Sequence, residues 1–211
     1  MSKLKKFNEQ FEEIVEKSVK EIETKTSAEV VVTISRQSDS YIDTFFKGGF
    51  CFLGAMLLFL LYSPIYFPEI LVPFYIIFSF LSGGFLVFFF PPLKRVFISS
   101  QRRELLVSRA ASAFFLDNGL VETRERTACL LYFSVIEHKF KLVADIGIKK
   151  AIPTDQWNSI ETEIKTLFSK EGWTPESIIQ SIKTLETPFA KFLPPAQNNI
   201  DEISNETRRD N

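Results

Sequence analysis

Two long runs without a single charged residue set the terms for this chain. Residues 48–67 read GGFCFLGAMLLFLLYSPIYF and residues 70–90 read ILVPFYIIFSFLSGGFLVFFF. Each is about 20 residues long, which at ~1.5 Å of helical rise per residue crosses a hydrocarbon core of ~30 Å. A core helix of a soluble domain is shorter and carries a polar stripe. The pair therefore predicts a transmembrane helical hairpin, and the lipid bilayer as its first partner. Only Pro68 and Glu69 separate the runs, so a tight connection is expected, with both flanks on one side of the membrane. Pro64 is expected to end the first span and Pro91-Pro92 to stop the second. Pro73 falls in a first helical turn, where a missing N–H costs little. Gly83-Gly84 fits either a close approach of the two helices or a kink.

The flanks orient the hairpin. Lys47 precedes it, Lys94, Arg95, Arg102 and Arg103 follow it, and the turn carries only Glu69. The positive-inside rule then places both termini in the cytoplasm, in a two-span protein of the inner or cytoplasmic membrane. The same cations are placed either to meet anionic headgroups or simply to be solvated beside the bilayer. Over the whole chain charge is balanced, with 25 Lys and Arg against 26 Asp and Glu, which gives no expectation of a basic face for nucleic acid. Cys51 and Cys129 have no metal-ligand spacing and read as two buried thiols. The first residues run into a charged helix with no apolar core of a signal peptide.

Outside the hairpin the pattern alternates. Leu4, Phe7, Phe11, Ile14, Val15, Val19 and Ile22 recur at helical spacing, predicting an amphipathic helix over residues 3–24. Its polar face is mixed in sign, which favours packing on a sheet over lying on a membrane. The β-branched run Glu29–Ser35 predicts a strand, and Gln101–Leu116 a helix closed by Gly119 in a left-handed cap. Ala128–Ile136 and Phe140–Ile146, joined by Glu137-His138-Lys139, predict a β-hairpin followed by a turn at Asp145–Ile148. The near-continuous apolar run from Ala128 suits a strand covered on both faces. Helices are predicted over 154–169 and from Thr174-Pro175-Glu176, an N-cap followed by proline at the first helical position. The polar tail 196–211 predicts disorder.

A lone strand at 29–35 cannot make a sheet and needs the strands near 128–146. The domain is thus expected to be split: residues 1–43 supply its first part, 44–95 form the hairpin, and 96–195 complete it. The expected fold class is α/β, a sheet sandwiched by helices and interrupted by a two-helix transmembrane hairpin.

Several blocks resemble a known family, the TPM domain. They are Ser27-Ala28-Glu29-Val30-Val31-Val32 after a charged helix, and Thr123-Arg124-Glu125-Arg126-Thr127-Ala128-Cys129-Leu130-Leu131-Tyr132 continuing through Glu137-His138-Lys139 and Val143–Ile148. Trp157 and the segment 178–193 fit that family's last two helices. The resemblance covers most of residues 4–195 and is strongest to the branch whose domain is interrupted by a transmembrane pair. It implies a helix–sheet–helix sandwich. It also implies membrane-associated roles beside other proteins, and, for some members, acid phosphatase activity and divalent-cation binding. Where the better-known branch has an Asp-Asn-Gly-like turn, this chain has Arg126-Thr127-Ala128, which removes an acid and a glycine from that loop.

Few residues read as chemistry. Asp145, in Asp-x-Gly at a strand end, is the leading acid. Together with Asp117 or Glu122 it is a candidate ligand set for a hard cation, calcium or magnesium, and it is equally an expected cap of the turn before Gly147. Arg126 is a candidate anion-binding fork or a structural partner of Glu122, Glu125 or Asp145. Glu137-His138 is either an acid–base pair or plain turn chemistry. There is no glycine-rich phosphate loop, nucleophile elbow or paired-cysteine motif. The expectation is a membrane-anchored, non-enzymatic module that binds or assists another membrane protein, with no obligatory cofactor. The alternative is a weak metal-dependent phosphatase.

Overall fold

The computed structural model describes residues 9–195 and 208–210 of the chain. The helical positions expected before Glu9 and most of the polar tail lie outside the described residues. The fold is mixed α/β and mainly helical, in two compact units: residues up to Ser38 with those from Leu106 onward, and Asp39–Leu105.

The first unit is built on the strands β1 (Glu29–Ser35), β2 (Ala128–Ser134) and β3 (Lys139–Ala144). β1 pairs in parallel with β2, from Glu29 opposite Ala128 to Ser35 opposite Ser134. β2 pairs antiparallel with β3, from Cys129 opposite Ala144 to Ser134 opposite Lys139. The strand that cannot make a sheet alone thus pairs about a hundred residues away, within the 128–146 region it was expected to need. From the tail, Arg208–Asp210 forms a three-residue strand, β4, parallel to the end of β1, where only disorder was expected. At the start of β1, the N–H of Val30 donates instead to the Glu23 carboxylate at 3.0 Å.

Every residue of β1 and β2 is buried, because the two sides of the sheet feed two apolar clusters. Val30, Val32 and Ile34 of β1 and Cys129, Leu131 and Phe133 of β2 join one cluster. Leu142 and Ala144 of β3 join it too, and most of its further members come from helices α1 (Glu9–Glu23), α6 (Ile146–Ala151), α7 (Thr154–Glu171) and α8 (Pro175–Phe192). Val31, Ala128, Leu130 and Tyr132, the alternate positions, join the other cluster with Val107, Ala111 and Phe115 of α5 (Ser100–Asp117). The period of two along each strand is what divides them. The α8 start is built as its sequence implies. Thr174 accepts from the Ser177 N–H, the Ser177 hydroxyl accepts from the Thr174 N–H, and Pro175 follows the cap.

The second unit holds α2 (Ile42–Tyr62), α3 (Val72–Phe89) and α4 (Pro91–Phe97). Two segments, Ile42–Tyr62 and Glu69–Phe89, are long and apolar enough to cross a membrane. Several boundaries differ from the sequence reading. The first helix starts six residues before Gly48 and takes in Asp43 and Lys47. It stops at Tyr62 because Ser63, the residue before Pro64, is forced into an extended conformation (φ −69°, ψ 134°). The connection is therefore the irregular stretch 63–68, longer than the two-residue link expected, and a 3₁₀ turn at Glu69–Leu71 leads into α3. Pro91-Pro92 does not simply stop the second helix. Phe90 is extended and Pro91 opens α4, where proline at the first position is favoured. In the other unit, β2 ends at Ser134 rather than Ile136, and the expected turn at Asp145 is instead the start of α6.

Candidate functional site

Asp145 sits where β3 passes into α6, and three demands meet on it. As N-cap of α6, its Oδ1 accepts from the Ile146 N–H at 2.6 Å. Both its oxygens accept from Arg126, Oδ2 from Nε at 2.6 Å and Oδ1 from Nη2 at 3.0 Å. Its side chain is 6% exposed, whereas that of Arg126 is 48% exposed. Burial opposes ionisation of this carboxyl. The hydrogen bonds from Arg126 and Ile146, with the charges of Arg126 and Lys149, outweigh that and hold it below the usual carboxylate range.

Gly147 belongs to the same corner. Its N–H donates to the Arg126 carbonyl at 2.9 Å, and a Cβ there would lie 2.6 Å from the carbonyl oxygens of both Glu125 and Arg126. Asp-x-Gly is thus required by a close backbone approach and a cap, the structural alternative open for it from sequence. Arg126 itself takes φ 58°, an uncommon backbone for a side chain with a Cβ. Of its expected roles the geometry assigns the pairing with Asp145, with half of the side chain left exposed. Asp117 at the end of α5 and Glu122 in a 3₁₀ turn are both exposed. Among the described residues no three His, Cys, Asp or Glu side chains gather as a cation site, so Asp145, Asp117 and Glu122 are not brought together as ligands.

At the other end of β2 lies a group that sequence reasoning undervalued. Glu137 is fully buried although it sits in the turn between β2 and β3. Its Oε1 accepts from the Ser38 N–H at 2.6 Å and its Oε2 from the Ser134 hydroxyl at 2.5 Å. Ser38 Oγ donates in turn to Ser134 Oγ at 2.9 Å. The carboxylate thereby fastens the segment after β1 to the end of β2. His138, with φ 50°, takes a different direction and stacks on Trp173 at 5.5 Å, which itself stacks on Phe168 at 4.3 Å. The only signal for this arrangement was an acid following a fully apolar strand, which reads identically to a solvated turn.

The hairpin is held by glycines on both helices. A Cβ on Gly83 would strike the Phe52 side chain and lie 2.8 Å from the Gly48 carbonyl oxygen. One on Gly48 would lie 2.7 Å from the Gly83 carbonyl oxygen and 2.5 Å from Val87. Gly49 faces the Phe80 ring and Gly84 the Phe45 ring in the same way. Ser79 adds an interhelical hydrogen bond to the Phe52 carbonyl at 2.8 Å. Of the two options for Gly83-Gly84, close approach is the one realised, and its partner pair Gly48-Gly49 was legible as a second Gly-Gly in the first run. Small residues at facing positions let two helix backbones approach closely.

At the base of the hairpin Arg102 grips Asp43 with two hydrogen bonds, 2.5 and 3.0 Å, and Lys47 reaches Asp43 at 2.7 Å and the Phe97 carbonyl at 3.2 Å. Asp43 thus answers two of the flanking cations, Arg102 and Lys47. Cys51, expected to be buried, is exposed, because it lies on a helix whose outer face meets no other part of the unit. Cys129 is buried in β2, and that burial pushes its thiol up to about 12, which keeps it unreactive.

No family model matches the chain, and no curated protein matches it. Among solved structures, the chain resembles the NMR structure of the BA42 protein from the psychrophilic bacterium Bizionia argentinensis. The TM-score is 0.61 at 18% identity, and the match covers all of both chains. At that identity the likeness speaks for the fold alone.

Proposed function

We propose that this chain is a membrane-anchored module of the TPM-like kind, a helix–sheet–helix sandwich interrupted by a transmembrane hairpin, which binds or assists another membrane protein without catalysing a reaction. The observation that carries the reading is the hairpin itself. Its helices pack on each other through Gly48, Gly49, Gly83 and Gly84, while Phe50, Leu58, Leu61, Phe74 and Phe78 remain more than half exposed. Water is a poor solvent for such a surface and lipid a good one. The hairpin is also inserted between two strands that pair with each other, so the anchor belongs to the domain and is not appended to it. Lys47, Lys94, Arg95, Arg102 and Arg103 at one end support a topology with both termini in the cytoplasm, in the inner or cytoplasmic membrane. No cofactor is needed for this role. A metal-dependent phosphatase, using calcium or magnesium, stands second, because its leading carboxylate, Asp145, is already engaged by Arg126 and Ile146.

Extraction of the full chain in mild detergent, followed by affinity capture, is expected to return a defined membrane protein in near-stoichiometric amount. Recovery of bulk membrane proteins alone contradicts the reading. Hydrolysis of an aryl phosphate that needs Mg²⁺ or Ca²⁺ and is lost in Asp145→Ala favours the second reading instead. Topology is tested with Glu69→Cys in a Cys51→Ser background, where an impermeant maleimide is expected to react from the non-cytoplasmic side. Labelling confined to the cytoplasmic side reverses the orientation.

A further inference from the structure

The tip of the hairpin, away from Asp43 and Lys47, is built from residues 62–71. α2 stops at Tyr62, residues 63–68 follow without a regular hydrogen-bond ladder, and the 3₁₀ turn Glu69–Leu71 opens the second apolar segment. Pro64 and Pro68 bring no N–H to this stretch. The Ser63 N–H donates to the Phe59 carbonyl at 2.9 Å, the Ile65 N–H to Ser63 Oγ at 3.2 Å, and the Leu71 N–H to the Pro68 carbonyl at 2.9 Å. The Phe67 ring meets Phe59 of α2 and Tyr75 of α3 edge-on, at 5.7 and 5.9 Å, and so closes the tip between the two helices.

What faces outward at this tip is of two kinds. Tyr62, Ile65, Tyr66 and Ile70 are 81%, 61%, 83% and 79% exposed. Beside them lie the irregular backbone and exposed Glu69. Non-helical backbone is tolerated in hydrocarbon only where protein or a water-filled cavity covers it, and a carboxylate there is costly. With Ile65, Tyr66, Pro68 and Glu69 all exposed, the stretch is not covered and belongs outside the hydrocarbon. Bulk water in turn suits four large exposed apolar side chains poorly. The zone that satisfies both kinds is the bilayer interface, where a tyrosine ring lies at the edge of the acyl chains and its hydroxyl meets the headgroups. The spacing agrees. Glu69–Phe89 runs 21 residues, about 30 Å, so the tip stands one hydrocarbon thickness from the basic end.

We propose that Tyr62 and Tyr66 anchor the hairpin tip in the interface of the leaflet opposite the basic end, their rings at the edge of the acyl chains and their hydroxyls donating to lipid oxygens. The inference rests on the membrane-anchored reading above. It adds that the hairpin crosses the whole bilayer instead of entering and leaving by one face. It also makes the two tyrosines, and not helix length alone, set the depth of the tip.

The test uses the full chain in phosphatidylcholine vesicles, in a Cys51→Ser background where the remaining Cys129 is buried and unreactive. A nitroxide is attached at Ile65→Cys and, in separate samples, at the references Phe78→Cys and Ser159→Cys. Phe78 is 73% exposed and lies roughly 13 Å along the helix from Glu69, inside the apolar span. Ser159 is exposed on α7 of the other unit. Paramagnetic resonance then compares collisions with oxygen, which gathers in hydrocarbon, and with a water-soluble nickel chelate. The ratio at position 65 is expected to fall between the two references. Tyr62→Phe/Tyr66→Phe keeps the rings and removes only the hydroxyls, and is expected to shift that ratio toward the Phe78 value. Tyr62→Trp/Tyr66→Trp, which returns a polar N–H to an aromatic body, is expected to keep the original ratio. A ratio equal to that at Phe78 places the tip in hydrocarbon, and one equal to that at Ser159 places it in water; either overturns the proposal. An unchanged ratio in the Phe variant overturns the role of the tyrosines. Alkaline carbonate extraction separates these failures from that of the underlying reading. A chain that leaves the membrane fraction defeats both, and one that stays there without the interfacial ratio defeats only the assignment of the tip.

Discussion

A fragment starting at Gln101 keeps β2, β3 and four of the helices of the sheet-bearing unit, yet it is expected not to fold. It loses Phe11, Val15, Val19, Ile22, Val30, Val32 and Ile34 from one cluster and Val31 from the other. At about 1.5–3 kcal/mol for each buried side chain of this kind, those eight contribute roughly 12–24 kcal/mol of gross burial. That is on the order of, or above, the whole net stability of a domain, about 5–15 kcal/mol. The fragment also strips β2 of its parallel neighbour along all seven residues, leaving an apolar edge prone to association. Circular dichroism and hydrogen exchange on the fragment are expected to show little cooperative structure and weak amide protection. The control joins Ser38 to Leu106 by a flexible linker of about 20 Gly and Ser residues, which reaches roughly 25 Å. This single chain restores β1 and α1 and is expected to unfold cooperatively. A monomeric, protected, cooperatively melting fragment from Gln101 would refute the argument that the hairpin is an insertion within one folding unit.

Within the hairpin, Gly83→Ala is expected to lower the unfolding temperature in detergent, through overpacking against Phe52 and Gly48 of about 1–3 kcal/mol. Gly54→Ala, where a Cβ meets nothing within 4 Å, is expected to be neutral or to stabilise by up to about 1 kcal/mol. Equal effects of the two substitutions would defeat the close-approach reading. Glu137→Ala leaves the half-buried Ser38 N–H and the buried Ser134 hydroxyl without their acceptor and is expected to cost about 1–3 kcal/mol in denaturant unfolding. Asp145→Ala removes the α6 cap and is expected to cost about 0.5–2 kcal/mol. Because the folded Asp145 carboxyl lies below its ordinary 3.8, its contribution is fully present above that pH and is lost as pH falls through the lower folded value. Acid titration of stability is therefore expected to show a shallower decline below pH 3.8 in Asp145→Ala than in the wild type.

Legibility from sequence followed the range of the interaction responsible. The helical spans, the N-cap at Thr174 and the β2–β3 hairpin are fixed by residues within a few positions of each other, and they were readable. The pairing of β1 with β2 was inferred only by elimination, since a seven-residue strand cannot stand alone. Boundaries failed where a proline acted on the residue before it, at Ser63 and Phe90, or where a charged turn was absorbed into a helix, at Asp43 and Lys47. The burial of Glu137 depends on Ser38, about a hundred positions away, and no local pattern encodes it. The Asp145–Arg126 pair was one of several partners open to each residue, and only the backbone approach at Gly147 selects it.

The register of β1 against β2 also governs timing. The two strands are separated by nearly a hundred residues, and both apolar spans lie between them. At a synthesis rate of about 5–20 residues per second, β1 emerges roughly five to twenty seconds before the strand it must pair with. During that interval the translation machinery is making, in order, the two long apolar helical segments of the molecule. The central sheet can close only after both have been made. Both apolar helices are thus made before the domain can be completed, and a chain that stalls between the two strands carries an apolar β1 whose neighbour β2 has not yet been made.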